Sequence, residues 1–358
     1  MSDRPTQLDL FTATVRHEPH DQFLYYAHYT GAVLEKVRAY TGLTDPVDID
    51  RHFGAYTPWW VGLNPPADCQ WPDFSRYFAT YDTPENARIN KRTGLMEIPG
   101  SSFHFTRYVS PLREAETLEE ILDFPYPNVD GWIEDHMADQ VAQAHAAGRV
   151  AVCSICHMYE DAWQIRGYEE FLMDMIAVPE IPHHILEVLC QKNIRIAEAG
   201  ARAGVDMLHC GDDVASQRAM MFDLDTWRKF IKDRWARVYA AARAIKPDIQ
   251  IWYHSDGNIE DIIPELIDIG VTILNPVQPE CMDLVKLKRE YGRCLVFDGT
   301  IGTQTTMPWG TPEEVRKVVA ERKATLGQDG ALILSPTHVL EPEVPIENIV
   351  AFFEEAAK

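Results

Sequence analysis

Residues 249–258 read IQIWYHSDGN. Ile249, Ile251 and Tyr253 against Gln250 and Trp252 read as a strand that runs straight into His254, Ser255, Asp256 and Gly257. Extended side chains alternate with a period of two, so His254 and Asp256 point to one side if the strand persists. An imidazole and a carboxylate there can share a divalent metal. They can also form a metal-free pair in which Asp256 orients or tunes His254, or a hydrogen-bonded cap on the turn at Gly257. A second imidazole, His338, follows the apolar run ALILSP (331–336). Asp212 and Asp213 follow VDMLHC (205–210) and Gly211. Being adjacent, they face opposite ways: one enters the space beyond the strand end and the other caps the segment that follows. A carboxylate moving protons there needs burial to raise its pKa. Asp298 closes the run CLVFD, where it either joins the site or faces a helix N-terminus.

These residues share a place in the chain pattern. Apolar strand-like runs recur at RVAVCSIC, VDMLHC, IQIWYH, VTILNPV, CLVFDG and ALILSP, all between residues 149 and 336. Helical patterns lie between most of them. Residues 180–203 carry Ile185, Val188, Leu189, Ile196 and Ala199 at helical spacing, and 312–326 carry Val315, Val318, Val319 and Leu326. Thr311, Pro312 and Glu314 spell a capping box with proline at the first helical position. Residues 223–246 and 258–270 read as two more helices. Strand–helix alternation implies parallel strands with helical crossovers. Polar and ionisable groups end strand after strand, which is how a (β/α)₈ barrel builds its active site at the C-terminal face. A doubly wound sheet would gather them at one crevice beside a glycine-rich phosphate turn, and no GxGxxG or GxxxxGK[ST] occurs. DGTIGT (298–303) has two glycines but no nearby Lys or Arg to hold a phosphate. The expected fold is therefore α/β, a TIM barrel forming one domain over 1–358. Residues 1–148 are its irregular, aromatic-rich part, with stretches such as TPWWVGLNPPADCQWPDF reading as loops and short elements.

Bulk composition narrows the function. The 358 residues are 46% hydrophobic, enough for a large core, and carry a net charge of −22. So acidic a surface repels phosphate backbones, which argues against nucleic-acid binding. No apolar run is long enough to span a membrane. With no signal pattern at the N-terminus, the expected location is cytoplasmic. Seven scattered cysteines fit free thiols in a reducing compartment. CSICH (153–157) matches a c-type haem attachment pattern, but it continues an apolar strand and is read as one. Glu160 reads as a solvated loop carboxylate. His209 and Cys210 read as structural, one facing the barrel interior and the other the helix layer. The aromatics Tyr25, Tyr26, His28 and Tyr29, near a first strand, could wall a pocket for a small aromatic or methylated substrate.

Four segments, GDDVASQRAMMFDLDTWRKFIKDR (211–234), YHSDGNIEDIIPELIDIGVTILNPVQPE (253–280), IGTQTTMPWGTPEEVR (301–316) and ILSPTHVLEPEVPIENIV (333–350), resemble the uroporphyrinogen decarboxylase superfamily, most closely its cobalamin-related methyltransferase-like branch. The resemblance covers residues 150–358 and implies a (β/α)₈ barrel. It implies two activities. Porphyrinogen decarboxylation relies on arginines near the N-terminus, and the matching stretch YYAHYTG (25–31) has none. Corrinoid-linked methyl transfer uses zinc held by His-X-Cys after one strand and Cys after the last. Here those positions read His254-Ser255-Asp256 and His338, although the porphyrinogen enzymes also place a histidine at the latter. The implied ligand set is His254, Asp256 and His338, a harder site than one with thiolates. It suits a divalent metal, zinc first, acting as a Lewis acid on an ether or hydroxyl oxygen.

The function so implied is a corrinoid-linked methyltransferase for a small O- or N-methylated compound. Asp212, Asp213 and His254 are its catalytic residues, and Tyr25, Tyr29, Gln217 and Asp298 contact the substrate. The chain lacks the cobalamin-binding Asp-X-His-X-X-Gly, so the corrinoid belongs on a separate protein. Relatives are often dimers, which makes a homodimer the assembly to test. The alternatives are a metal-free decarboxylase or lyase of a small non-porphyrin acid, and a non-catalytic subunit that binds a corrinoid protein.

Overall fold

The computed structural model describes residues 5–100 and 106–358. Among the described residues, eleven strands form two sheets. Two short strands, β1 (Leu24–Tyr25) and β2 (Trp59–Trp60), come first. A small antiparallel sheet follows, of β3 (Arg88–Ile89), β4 (Met96–Pro99) and β5 (Thr106–Val109). Then come β6 (Ala151–Cys156), β7 (Met207–Gly211), β8 (Gln250–His254), β9 (Ile273–Asn275), β10 (Val296–Asp298) and β11 (Leu332–Leu334). The eight-stranded sheet has the order β1-β11-β10-β9-β8-β7-β6-β2, and every pairing in it is parallel. It curls until β1 and the approach to β2 meet, where Tyr56 N–H donates to Tyr25 O at 2.7 Å. This is the α/β barrel the strand–helix rhythm implied. The N-terminal part is more ordered than its composition suggested: it supplies two barrel strands, and β2 lies inside a stretch that reads as loop.

The helices follow the expected lines. The longest is Glu180–Ala203, stopped by Gly204 in the left-handed conformation. Pro312–Leu326 starts on the reciprocal Thr311–Glu314 capping box. Residues 224–245 form one run with a π-helical turn at Arg228–Lys232, which packs heavily on Glu180–Ala203.

Period-two alternation divides the strands between two cores. Outward residues such as Cys153, Leu208, Ile251, Tyr253 and Leu332 join the core under the helices. Inward residues Leu24, Val152, Met207, Trp252, Ile273, Val296 and Ile333 fill the barrel. Its N-terminal end is stoppered by the helix Gln7–Val15, whose Phe11 packs into that inner core. Leu8 N–H on Gly148 O and the Gln7 amide on Ala55 O and Thr57 N–H anchor that helix at the strand starts. Among the described residues, no helix fills the C-terminal end in this way.

Candidate active site

At the C-terminal end the barrel opens into a chamber of about 740 Å³. Its aromatic walls are Tyr26, Tyr56, Trp60 and Trp252, and five histidines line it: His28, His157, His209, His254 and His338. A smaller recess of about 460 Å³ lies outside, lined by Gln217, Asp256, Gln278 and Gln304. Chamber and recess share a wall at Thr337, His338 and Val339.

The ends of β7 and β8 converge because Gly211 has no side chain: a Cβ there would overlap the backbone of His254. Asp212 N–H donates to His254 O at 2.9 Å, which locks the two strand ends together. Asp213, His254 and Asp256 each offer an atom to one group, all within 4.8 Å of one another. His254 Nε2 lies 3.7 Å from Asp213 Oδ1 and 3.9 Å from Asp256 Oδ1. His338 Nε2 approaches the other oxygen of Asp256 at 3.9 Å, with half of its side chain exposed. A tetrahedral ion with ~2.1 Å bonds has ligand atoms ~3.4 Å apart, so small side-chain shifts would close the group on a metal. Among the described residues no Lys or Arg pairs with Asp213 or Asp256. Burial raises the Asp256 pKa; His254 opposes the rise and Asp213 adds to it. Unneutralised carboxylates beside an imidazole fit a hard divalent cation.

A second cluster of the same residue types lies across β7: His157, Glu160 and Asp212. Here both Asp212 oxygens and His157 Nδ1 are taken. One oxygen of fully buried Asp212 accepts from Met158, Tyr159 and Glu160 N–H at 2.8, 2.7 and 3.2 Å, and the other from Trp235 Nε1 at 2.8 Å. Asp212 thereby caps the helix Tyr159–Arg166 from a neighbouring strand. Burial still pushes its pKa up to about 7. His157 Nδ1 lies 2.8 Å from Gly211 O and 2.7 Å from Glu160. Burial disfavours its cation, but the Glu160 hydrogen bond and charge outweigh that and push the pKa up to about 10.

The chamber floor holds Asp298, 1% exposed. Its Oδ2 accepts from Tyr26 OH and Trp252 Nε1, each at 2.8 Å, and its Oδ1 from Ser335 Oγ at 2.8 Å. Burial raises its pKa and these donors hold the rise back. His209 stacks on Trp252 with centroids 4.0 Å apart. Burial, with the nearby imidazoles, drops the His209 pKa to about 3, so it is neutral.

The structure sorts the residues singled out by sequence. His254 and Asp256 do share a side, with Asp256 between the imidazoles of His254 and His338. Asp213 joins them as a closer neighbour of His254 than its proton-moving role required. Asp212 lies outside the chamber, and it caps a helix that precedes it in the chain rather than the segment that follows. Gln217 borders the outer recess and Asp298 the chamber floor. The expected pocket wall needs a correction of phase. Tyr25 hydrogen-bonds Phe53 O at 3.1 Å and meets the ring of Phe353. Tyr29, like Tyr25, packs on the outer core. Tyr26 and His28 take the chamber side instead. Glu160 also departs from its solvated reading, with only 18% of its side chain exposed and a place on the chamber wall. His209 faces the barrel and Cys210 the helix layer, where its thiol meets Tyr239 OH. Sequence reasoning missed His157. Its proximity to Glu160 at i+3 was the available signal, masked by the haem-like pattern around it.

Residues 154–358 match the profile of the family described as Uroporphyrinogen decarboxylase (URO-D). No curated protein sequence matches the chain. Among solved structures, a methyltransferase from Methanosarcina mazei superposes with a TM-score of 0.62 at 16% identity, over 99% of this chain and 98% of that one. A psychrophilic glycoside hydrolase family 10 endo-beta-1,4-xylanase overlaps 63% of this chain and 83% of its own, at 9% identity and a TM-score of 0.39. An endo-1,4-beta-xylanase from Caldicellulosiruptor owensensis overlaps 63% and 84%, at 13% identity and a TM-score of 0.38.

Proposed function

From the premise that the chain belongs to the uroporphyrinogen decarboxylase family, we propose that it is a methyltransferase. It takes the methyl group of a small O-methylated compound and passes it to a corrinoid carried by a separate protein. The observation that carries this reading is the group Asp213, His254 and Asp256, with His338 beside it, on the boundary between two cavities. A divalent metal held there, zinc or a harder ion, would supply Lewis acidity to an ether oxygen.

The protein's own groups do the rest. In-line displacement at a methyl carbon needs donor and acceptor on opposite sides of that carbon. The inner chamber and outer recess meet at His338 and provide two such sides. Trp60, Trp252 and Tyr26 bind an apolar substrate body and exclude water. As the C–O bond breaks, its electron pair stays on oxygen, which then takes a proton. His157 supplies that proton from Nε2, because Glu160 and Gly211 O hold Nδ1 and keep the ring protonated. The likeness to the Methanosarcina mazei methyltransferase supports this reading through the shared fold.

Metal analysis of the purified protein tests the proposal first. One equivalent of divalent metal, lost in His254→Ala, is expected. A following assay mixes the protein with methoxylated compounds and cob(I)alamin and follows methylcobalamin formation. Metal absent at every pH tried, with no methylcobalamin formed, rejects it. The His157–Glu160 pair favours one alternative, a metal-free decarboxylase or lyase that uses His157 as its acid. Carbon dioxide release from a small acid without corrinoid would select that reading.

A further inference from the structure

Resting on the metal-site reading of His254, we infer that buried Asp298 is a positioning residue. Through Tyr26 and Asn275 it fixes the His254 imidazole with its proton on Nδ1 and a bare lone pair on Nε2. Which ring nitrogen carries the proton is set by the partner of the other one. Here that partner is settled by a chain of groups, each of which leaves its neighbour a single polarity.

The chain starts from an indole. Trp252 Nε1 can only donate, so Asp298 Oδ2, 2.8 Å away, is an acceptor. Tyr26 OH lies 2.8 Å from that same oxygen and, against a carboxylate, which has no proton to give, donates to it. With its proton committed, the phenol oxygen can only accept, and Asn275 Nδ2 donates to it at 3.4 Å. Asn275 thus keeps its nitrogen toward Tyr26 and turns Oδ1 to His254 Nδ1 at 2.7 Å. A carbonyl oxygen has no proton to give, so Nδ1 carries the hydrogen. The bare Nε2 faces Asp213 and Asp256, the arrangement a metal-ligating histidine requires.

Asp298 reaches His254 by a second arm. The indole that it anchors stacks on the His254 ring at 14° with centroids 5.8 Å apart. The first arm sets the tautomer and the second the ring plane. Ser335 Oγ donates to the remaining Asp298 oxygen, so both carboxylate oxygens are engaged by the protein's own donors. This separates Asp298 from the substrate-contacting role that its position at the end of β10 suggested.

The test is nitrogen-15 NMR of the imidazoles in full-length, metal-free protein labelled at histidine, with His254 assigned from its loss in His254→Ala. Cobalt(II) and zinc(II) affinities of the same samples are measured in parallel. The wild type is expected to show His254 protonated at Nδ1. Tyr26→Phe keeps the ring but removes the hydroxyl, freeing Asn275 to turn, and mixed tautomers are expected. Asn275→Leu removes the acceptor, and metal affinity is expected to fall about 10- to 100-fold. Asp298→Asn should retain the wild-type tautomer: Trp252 holds the amide oxygen in the Oδ2 place and the amide nitrogen turns to Ser335. A wild-type His254 protonated at Nε2 overturns the inference. So does a tautomer unchanged in both Tyr26→Phe and Asn275→Leu. If the wild type binds neither metal, the metal-site reading fails by itself, and the metal-free spectrum still decides the tautomer.

Discussion

Two clusters flank the end of β7, each with one imidazole and two carboxylates, and they have opposite fates. His157, Glu160 and Asp212 are closed by three backbone N–H donors, an indole and a short ion pair. Asp213, His254 and Asp256 have separations of 3.7 and 3.9 Å and no Lys or Arg partner among the described residues. Composition is the same, so chemistry follows from how many donors the backbone brings to each carboxylate. Asp212 points toward a helix N-terminus that satisfies it. Asp213, one residue on, points toward the chamber, where among the described residues only Asp256 N–H donates to it, at 2.7 Å. The first cluster is a closed joint between strand and helix. The second leaves its two carboxylates without a Lys or Arg partner among the described residues.

The contrast can be broken by removing one member of each. Asp212→Ala should cost the most stability, about 3 kcal/mol in denaturant unfolding, because it leaves buried N–H groups without acceptors. Asp213→Ala should move the same curve by less than about 1 kcal/mol. Metal binding should reverse the order. Asp213→Ala and His254→Ala should each weaken zinc(II) binding at least about 100-fold, beyond the loss expected for an outer partner. The saturating-zinc rise in melting temperature should vanish with them, and Glu160→Gln should leave it intact.

A pH series sharpens the contrast from the other side. The His157 pKa is about 10 in the folded chain against about 6.5 unfolded. A raised folded value means that the stabilisation is fully present below about pH 6.5 and is lost as pH rises through about 10. Unfolding midpoints should fall between pH 7 and pH 10, and Glu160→Gln should flatten that decline. The slope should be shallow, since 41% of the His157 side chain meets solvent. The smallest effect is expected at the rim: His338→Ala should weaken zinc(II) about threefold without changing stability, because half of that side chain is exposed.

The sequence made the later barrel readable because its strands pair an apolar run with a polar or ionisable end. The Thr311–Glu314 box and the 180–203 helix are local signals and were found where expected. Phase at β1 was not readable: the strand has two residues, and Leu24, Tyr25 and Tyr26 are all apolar or aromatic. His157 was hidden by a register shift in β6 between Ser154 and Cys156, with Cys156 at φ 63°. Such a bulge re-aims the residues after it, and residue types alone do not reveal it. The bond between Tyr26 and Asp298 spans 272 positions, so nothing local marks it. Local chemistry identified the groups, and only the closed barrel could say which of them meet.

The stopper at Phe11 has a consequence for the order of events. With Phe11 filling that end, the described residues leave the chamber open at the C-terminal end of the barrel. Whatever comes in must go out by the same threshold, and a visitor seated on it would trap the contents until it left. Under the function proposed above, the small substrate has to enter before the corrinoid protein docks, because docking across that mouth would close it.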